Sequence, residues 1–261
     1  MKKYWAIFKI QLLNRMAYAG DLIIQSLTII LFMWIFMQLW KTTYHSTSQD
    51  TLNGLTLHDT MWYLMMAETI MLSKPRLSRT IAATVKDGSI AYLLNKPYHF
   101  ILYQLSIGVG DLAARTLFNL LSGSIIVWIL VGPPPDPRGW PLVIVAFMLG
   151  WLIDFCLNTL IGLAAFASEE IAAFEWIYSK FLLLLGGVLI PLDFLPPFLR
   201  SVSMALPFAY TVYGPARLFV DPTLERFAGL VSMQLIWLLT LGLFTLFVFN
   251  KASSRLAING G

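Results

Sequence analysis

Residues 22–40 read LIIQSLTIILFMWIFMQLW, 19 positions without a charge. The hydrocarbon core of a bilayer is about 30 Å thick and takes about 20 apolar helical residues to cross. This stretch alone is therefore enough to place the chain in a membrane. A second one, FAGLVSMQLIWLLTLGLFTLFVF at Phe227–Phe249, runs for 23 residues, also uncharged. Pro141–Ser168 carries one charge, Asp154, and Ile171–Ile190 carries Glu175 and Lys180. Ile101–Val131 is too long for one upright crossing. Its charges, Asp111 and Arg115, lie in the first half, which puts the crossing at 112–131 after a helical extension on the cytoplasmic side. Leu55–Ser73 is interrupted by Asp59 and Glu68. The expectation is an all-α integral membrane protein, a single domain over 1–261, with six transmembrane helices at 22–40, 55–73, 112–131, 141–168, 171–190 and 227–249.

Composition agrees with that reading. The 261 residues are 58% hydrophobic and 12% charged, against about 25% charged in an average soluble domain. A soluble enzyme, a disordered chain and a fibrous one are excluded. The lone Cys156 rules out a disulfide framework within the chain and a multi-cysteine metal site, and reads as a small buried hydrophobe. The net charge of +4 is an orientation signal before it is a sign of nucleic-acid binding, which is not expected. With the N-terminus inside, eleven Lys and Arg fall on inner segments and five on outer ones. Both termini are then cytoplasmic, in a bacterial inner or plasma membrane.

Lys2, Lys3 and Ala17-Tyr18-Ala19 imitate a signal peptide, but Lys9, Gln11, Asn14 and Arg15 interrupt the region that should be apolar. Trp5, Phe8, Leu12 and Met16 share a face at helical spacing. Residues 1–20 therefore read as an imperfect amphipathic helix on the inner membrane surface, turning into the first span at Gly20.

The connection 74–98 is the longest inner loop and the most basic. Pro75 can open a helix. Leu77, Ile81 and Val85 then form an apolar stripe, Arg79 and Lys86 point elsewhere, and Gly88 can end the helix. Such a helix either rests on lipid headgroups or docks a cytoplasmic partner. After the fifth span, Pro191, Pro196, Pro197, Pro207 and Pro215 punctuate a mostly apolar stretch that includes Phe208 and Tyr213. Proline blocks a continuous helix, yet the composition does not suit open water. Short helices over 191–219 that re-enter the outer leaflet satisfy both facts, provided that their backbone breaks are buried in protein.

Ionisable groups inside a membrane are costly and are often functional. Asp111 and Arg115 have the spacing and order of a helical ion pair. Glu68 could reach a basic partner near the inner boundary. Asp154, read as near the middle of its span, suits either a polar point on a transport path or a bond between helices. Glu169, Glu170 and Glu175 cluster at the turn between spans four and five, where they could receive a basic partner or pair with Arg76, Arg79 or Lys180. The phosphate loop G-x-x-x-x-G-K-[ST] is missing, and no Gly-Lys pair occurs. The chain is therefore not expected to bind ATP in that way, nor to be an enzyme.

The layout resembles the membrane subunit of ABC-2 type exporters. Gly88-Ser89-Ile90-Ala91-Tyr92-Leu93-Leu94-Asn95-Lys96-Pro97 is similar to that family's segment after its coupling helix, although many relatives have an acid where Ala91 stands. Gly186-Gly187-Val188-Leu189-Ile190-Pro191-Leu192, with Phe194-Leu195-Pro196 and Leu206-Pro207-Phe208, is similar to its region between the last two spans. The resemblance implies an ATP-driven permease without a cofactor of its own, ATP and Mg being held by partner ATPases. It implies two ATP-binding cassette subunits, a second permease subunit (identical or homologous) and membrane lipid as partners. It implies that Arg76, Leu77, Arg79, Ile81, Val85, Lys86 and Gly88 belong to the element that couples to the ATPase. Pro191, Pro196, Pro207, Phe208 and Tyr213 would form an outer gate. Spans one and five would face the other permease, with Gly186 and Gly187 allowing close approach there. Glu68, Asp154 and Glu175 remain candidates for the path or for helix packing. The competing readings are an ATP-independent channel or secondary transporter, and a membrane-embedded enzyme acting on lipid. The apolar composition suits a lipid-linked, glycolipid or drug-like cargo.

Overall fold

The computed structural model describes residues 2–47, 50–168 and 170–259. Glu169 lies outside the described residues. Among the described residues the structure is helices joined by short connections, with one hairpin of two short strands, Thr51–Leu52 and Leu55–Thr56. In chain order the helices are α1 (Lys2–Ala17), α2 (Ala19–Thr47), α3 (Leu57–Leu72), α4 (Leu77–Lys86), α5 (Ser89–Leu94), α6 (Phe100–Val131), α7 (Trp140–Leu163), α8 (Ala172–Leu185), α9 (Pro197–Met204), α10 (Pro207–Thr211), α11 (Tyr213–Val220) and α12 (Leu224–Asn259). Among the described residues, four helical segments are long and apolar enough to cross a membrane: Ala19–Thr47, Phe100–Val131, Pro137–Phe166 and Leu224–Ser254. The protein is an all-α integral membrane protein. The other two expected spans form shorter helices, α3 with 16 residues and α8 with 14.

α3 starts on a capping box. The Asp59 amide donates to Thr56 Oγ1 at 3.1 Å, and the Thr56 amide donates to Asp59 Oδ2 at 3.1 Å. Every residue from Thr60 to Ile70 is buried, so α3 has no lipid-facing stripe. It runs antiparallel to α6 and is tied to it at both ends. His58 Nε2 lies 2.8 Å from the Pro133 carbonyl, and Asn119 Nδ2 donates to Ser73 Oγ at 3.1 Å.

α1 lies along the first third of α6. A Cβ on Gly110 would stand 2.9 Å from the Phe8 carbonyl, so only glycine lets the two backbones meet there. Arg15 pairs with Asp111, and the Tyr4 hydroxyl accepts the His99 amide at 2.9 Å. The apolar face read for a surface helix is divided between protein and surface. Phe8 and Leu12 are half-buried, whereas Trp5 and Met16 are exposed together with Ile10 and Leu13. Phe249 of α12 stacks on Phe100 at 5.6 Å. The first helix and the far end of the last one therefore share the end of the bundle that carries α4 and α5. The hairpin closes the opposite end, where Asn53 Nδ2 donates to the Asp193 carbonyl at 2.9 Å.

The proline-rich stretch folds back into the bundle. Gly150, ten residues into α7, has the Tyr210 and Thr211 carbonyls 3.0 and 3.1 Å from where a Cβ would sit. At 1.5 Å per residue that is about 15 Å below the end of α7. Bare backbone at such depth needs partners inside the protein, and it has them. Gln234 Nε2 of α12 donates to the Ala146 and Tyr210 carbonyls at 2.8 and 2.9 Å. The Tyr210 hydroxyl donates to the Met204 carbonyl at 2.7 Å.

Candidate functional site

α4 has the expected two faces. Leu77, Ser78, Ile81 and Ala82 are buried, Val85 is half-buried, and Arg79 and Lys86 are exposed. The helix begins at Leu77 with Arg76 as its cap, two residues beyond Pro75. It ends at Asp87, and Gly88 carries the turn into α5 at φ 74°. The buried face lies on α7 at Gly162, where a Cβ would stand 2.8 Å from Ile81 Cβ. Nothing larger than glycine lets α4 sit this close.

The polar edge of α4 is clamped to α8 through Glu175. Ser78 Oγ donates to Glu175 Oε1 at 2.6 Å, and Arg79 Nε donates to Oε2 at 2.9 Å. Lys86 lies 3.9 Å from Glu170. Glu170 also accepts the Ala172 amide at 3.1 Å, which satisfies a donor at the start of α8. That backbone bond, followed by Lys86, holds the Glu170 carboxyl below the usual range. Lys180 sits over the Trp176 ring and makes no ion pair among the described residues.

One turn further along α8, Tyr178 donates to Asp154 Oδ1. The same oxygen takes Lys74 Nζ at 2.6 Å, and Oδ2 takes Asn158 Nδ2 at 3.0 Å. A buried carboxylate is tolerated when a cation and further donors satisfy it, and all three are present. Asp154 lies close to the middle of the helical segment Pro137–Phe166. α7 stops at Leu163 and tightens into a 3-10 turn through Phe166, so Asp154 lies in the half nearer α4. Glu68 differs from the reading that gave it a basic partner. It is buried, and among the described residues it makes no ion pair or hydrogen bond, because Lys74 turns to Asp154 instead. A cavity of about 550 Å³ opens between these elements, bordered by Lys74, Arg76, Asn158, Glu175 and Tyr178.

The Tyr178 ring lies 6.0 Å from Phe208, and Phe181 lies 5.4 Å from it. α8 thus touches the residues clamped around α4 and also α10, with neighbouring side chains. Pro191 and Pro196 flank the 3-10 turn Leu192–Phe194, and Pro207 opens α10. The Tyr213 hydroxyl donates to Asp193 Oδ1 at 3.2 Å, and Arg200 and Arg217 each approach the same carboxylate at 3.4 Å. Gly186 and Gly187 require a correction. Both are buried inside the chain: the Gly186 carbonyl accepts the Tyr213 amide at 3.0 Å and the Gly187 carbonyl accepts the Tyr63 hydroxyl at 2.6 Å. They form the turn that ends α8, and they present no surface to a second subunit.

A family model described as ABC-2 family transporter protein matches residues 22–260. The chain belongs to the ABC-2 transporter family. The ABC-2 permease subunit is thus a transmembrane part of an ABC transporter, which works with ATP-binding subunits. A search of curated proteins found no match. Lys74, Ser78, Asn158, Gly162 and Tyr178 of the ABC-2 permease were not singled out as site residues from sequence. The one sequence signal was Tyr178 three residues after Glu175, on the same helical face.

Proposed function

We propose that this ABC-2 permease is the membrane subunit of an ATP-driven exporter for a hydrophobic or amphipathic cargo. Its α2, α3, α6, α7, α8 and α12 make six crossings with both termini cytoplasmic, and α4 is its coupling helix. Two permease subunits pair, and each docks one ATP-binding cassette subunit that holds ATP and Mg. The exposed apolar faces of α2, with Leu31 and Trp34, and of α8, with Trp176 and Leu184, support pairing along spans one and five.

The observation that carries this reading is the clamp of Glu175 on Ser78 and Arg79. A partner pressing on the exposed side of α4 would move α8 through that carboxylate. Tyr178 would carry the motion to Phe208 and the helices behind Pro191, Pro196, Pro207 and Tyr213, which would act as the outer gate. The membrane subunit then need only favour one of two packings according to the state of the ATPase. Lys74, Asp154 and Tyr178 would set the balance between those packings.

The double variant Arg79→Glu with Lys86→Glu reverses the charge of the exposed edge. It should insert normally and lose co-purification of the ATPase and transport. The exchange Arg79→Glu with Glu175→Arg keeps the charges facing each other and should recover part of the transport. Normal ATPase recovery and transport in the first variant would sink the docking assignment.

A further inference from the structure

A second cavity, of about 420 Å³, lies on the other side of Arg76, between α1, α6 and the start of α4. Its wall carries Gln11, Arg15, Arg76, Gln104, Asp111 and Arg115. Three guanidiniums therefore surround one carboxylate. Asp111 takes Arg15 and Arg115, while the Arg76 guanidinium has no ion pair or hydrogen-bond partner among the described residues; its backbone carbonyl accepts from Thr80. The wall keeps a positive excess facing the cavity. Gln104 is 98% buried on this wall, and its Oε1 accepts no hydrogen bond among the described residues. A buried acceptor without a donor is costly, so a ligand hydroxyl that reached Gln104 would be bound favourably.

We propose that this cavity binds the headgroup of an anionic glycerophospholipid, with the phosphate against the arginines and a headgroup hydroxyl donating to Gln104. Guanidinium forks match phosphate oxygens, and basic pockets between helices on the cytoplasmic side of a membrane suit such headgroups. A lipid is favoured over a soluble phosphate because the cavity is walled by α1. That helix sends Gln11 and Arg15 inward and leaves Trp5, Ile10, Leu13 and Met16 exposed beside them. Acyl chains would lie along those side chains. A bound headgroup would join the interfacial helix to Arg76, the residue that caps α4, so the inner leaflet would hold the start of the coupling helix. The inference takes only the inner orientation from the proposed function.

The test is lipid binding to the full chain in detergent, read by native mass spectrometry and by thermal shift. The probes are dioleoylphosphatidylglycerol, dioleoylphosphatidic acid, dioleoylphosphatidylcholine and inorganic phosphate. No ATPase is present, so failure here leaves the docking proposal standing, and loss of docking leaves this result readable. Phosphatidylglycerol should bind and stabilise the protein, and phosphatidylcholine should not. Arg76→Gln should weaken phosphatidylglycerol about fivefold, while Lys9→Gln, which removes the same charge from an exposed position outside the cavity, should weaken it less. Gln104→Leu should erase the preference for phosphatidylglycerol over phosphatidic acid. Equal binding of phosphatidylcholine, or equal losses in Arg76→Gln and Lys9→Gln, would overturn the site. Stabilisation by inorganic phosphate to the same extent would overturn the lipid in favour of a soluble phosphoryl ligand.

Discussion

The Tyr63 hydroxyl donates to the carbonyl of Gly187 at 2.6 Å, across 124 residues of chain. It joins the middle of a fully buried helix to the turn where α8 stops. Gly187 is held at φ 76°, and a Cβ there would stand 2.7 Å from that same hydroxyl. The contact fixes where α8 ends and where the proline-rich segment begins.

Gly187→Ala combines left-handed backbone with a clash, and should cost about 2 kcal/mol or more in stability. Tyr63→Phe loses only the hydrogen bond and should cost about 1–2 kcal/mol. Thermal denaturation in detergent orders the two. A Gly187→Ala protein as stable as the parent would show that the turn is not held as described.

Asp154→Leu leaves Lys74 facing a buried site without its counter-ion. Removing one partner of such a pair costs about 3–5 kcal/mol. Adding Lys74→Met removes the orphaned charge and should return much of the stability, because a buried pair replaced by apolar groups is often close to neutral. Transport should stay low in the double variant, since Tyr178 still has no acceptor. A double-mutant cycle on melting temperature, run beside a transport assay, separates the two effects. Additive losses in the cycle would contradict the pairing.

Gly162→Ala forces α4 away from α7 at Ile81 and should cost about 1–3 kcal/mol as overpacking. Ile81→Val beside it should recover little, because the clashing atoms are Ile81 Cβ and Cγ2, which valine keeps. Spin labels at Lys86 and at an exposed position on α7 would report the widened gap. An unchanged distance with unchanged stability would mean that the close approach is not needed.

Much of the bundle could be read from the chain because lipid imposes a simple rule on long helices. The uncharged runs 22–40 and 227–249 lie within α2 and α12. The apolar stretch 101–131 forms one helix, with Asp111 and Arg115 paired along it. α3 was obscure for a physical reason: being buried all round, it has no stripe to give a period. Its signal was local instead, in the spacing of Thr56 and Asp59. α4 was visible in its own periodicity. The clamp was not, since Ser78 and Glu175 are 97 residues apart and Lys74 and Asp154 are 80 apart. Gly186 and Gly187 were misread because small residues serve close approach and left-handed turns equally well, and only the partner Tyr63 decides between them.

α6 runs 32 residues without a break, about 48 Å at 1.5 Å per residue. That exceeds the hydrocarbon core by about 18 Å. Its near end is gripped by α1 through Asp111, and its far end runs into Pro133, which meets His58. Held near both ends, α6 shifts only together with α1 and α3, so the length that overhangs the bilayer links the inner surface helix to the opposite face in one continuous rod.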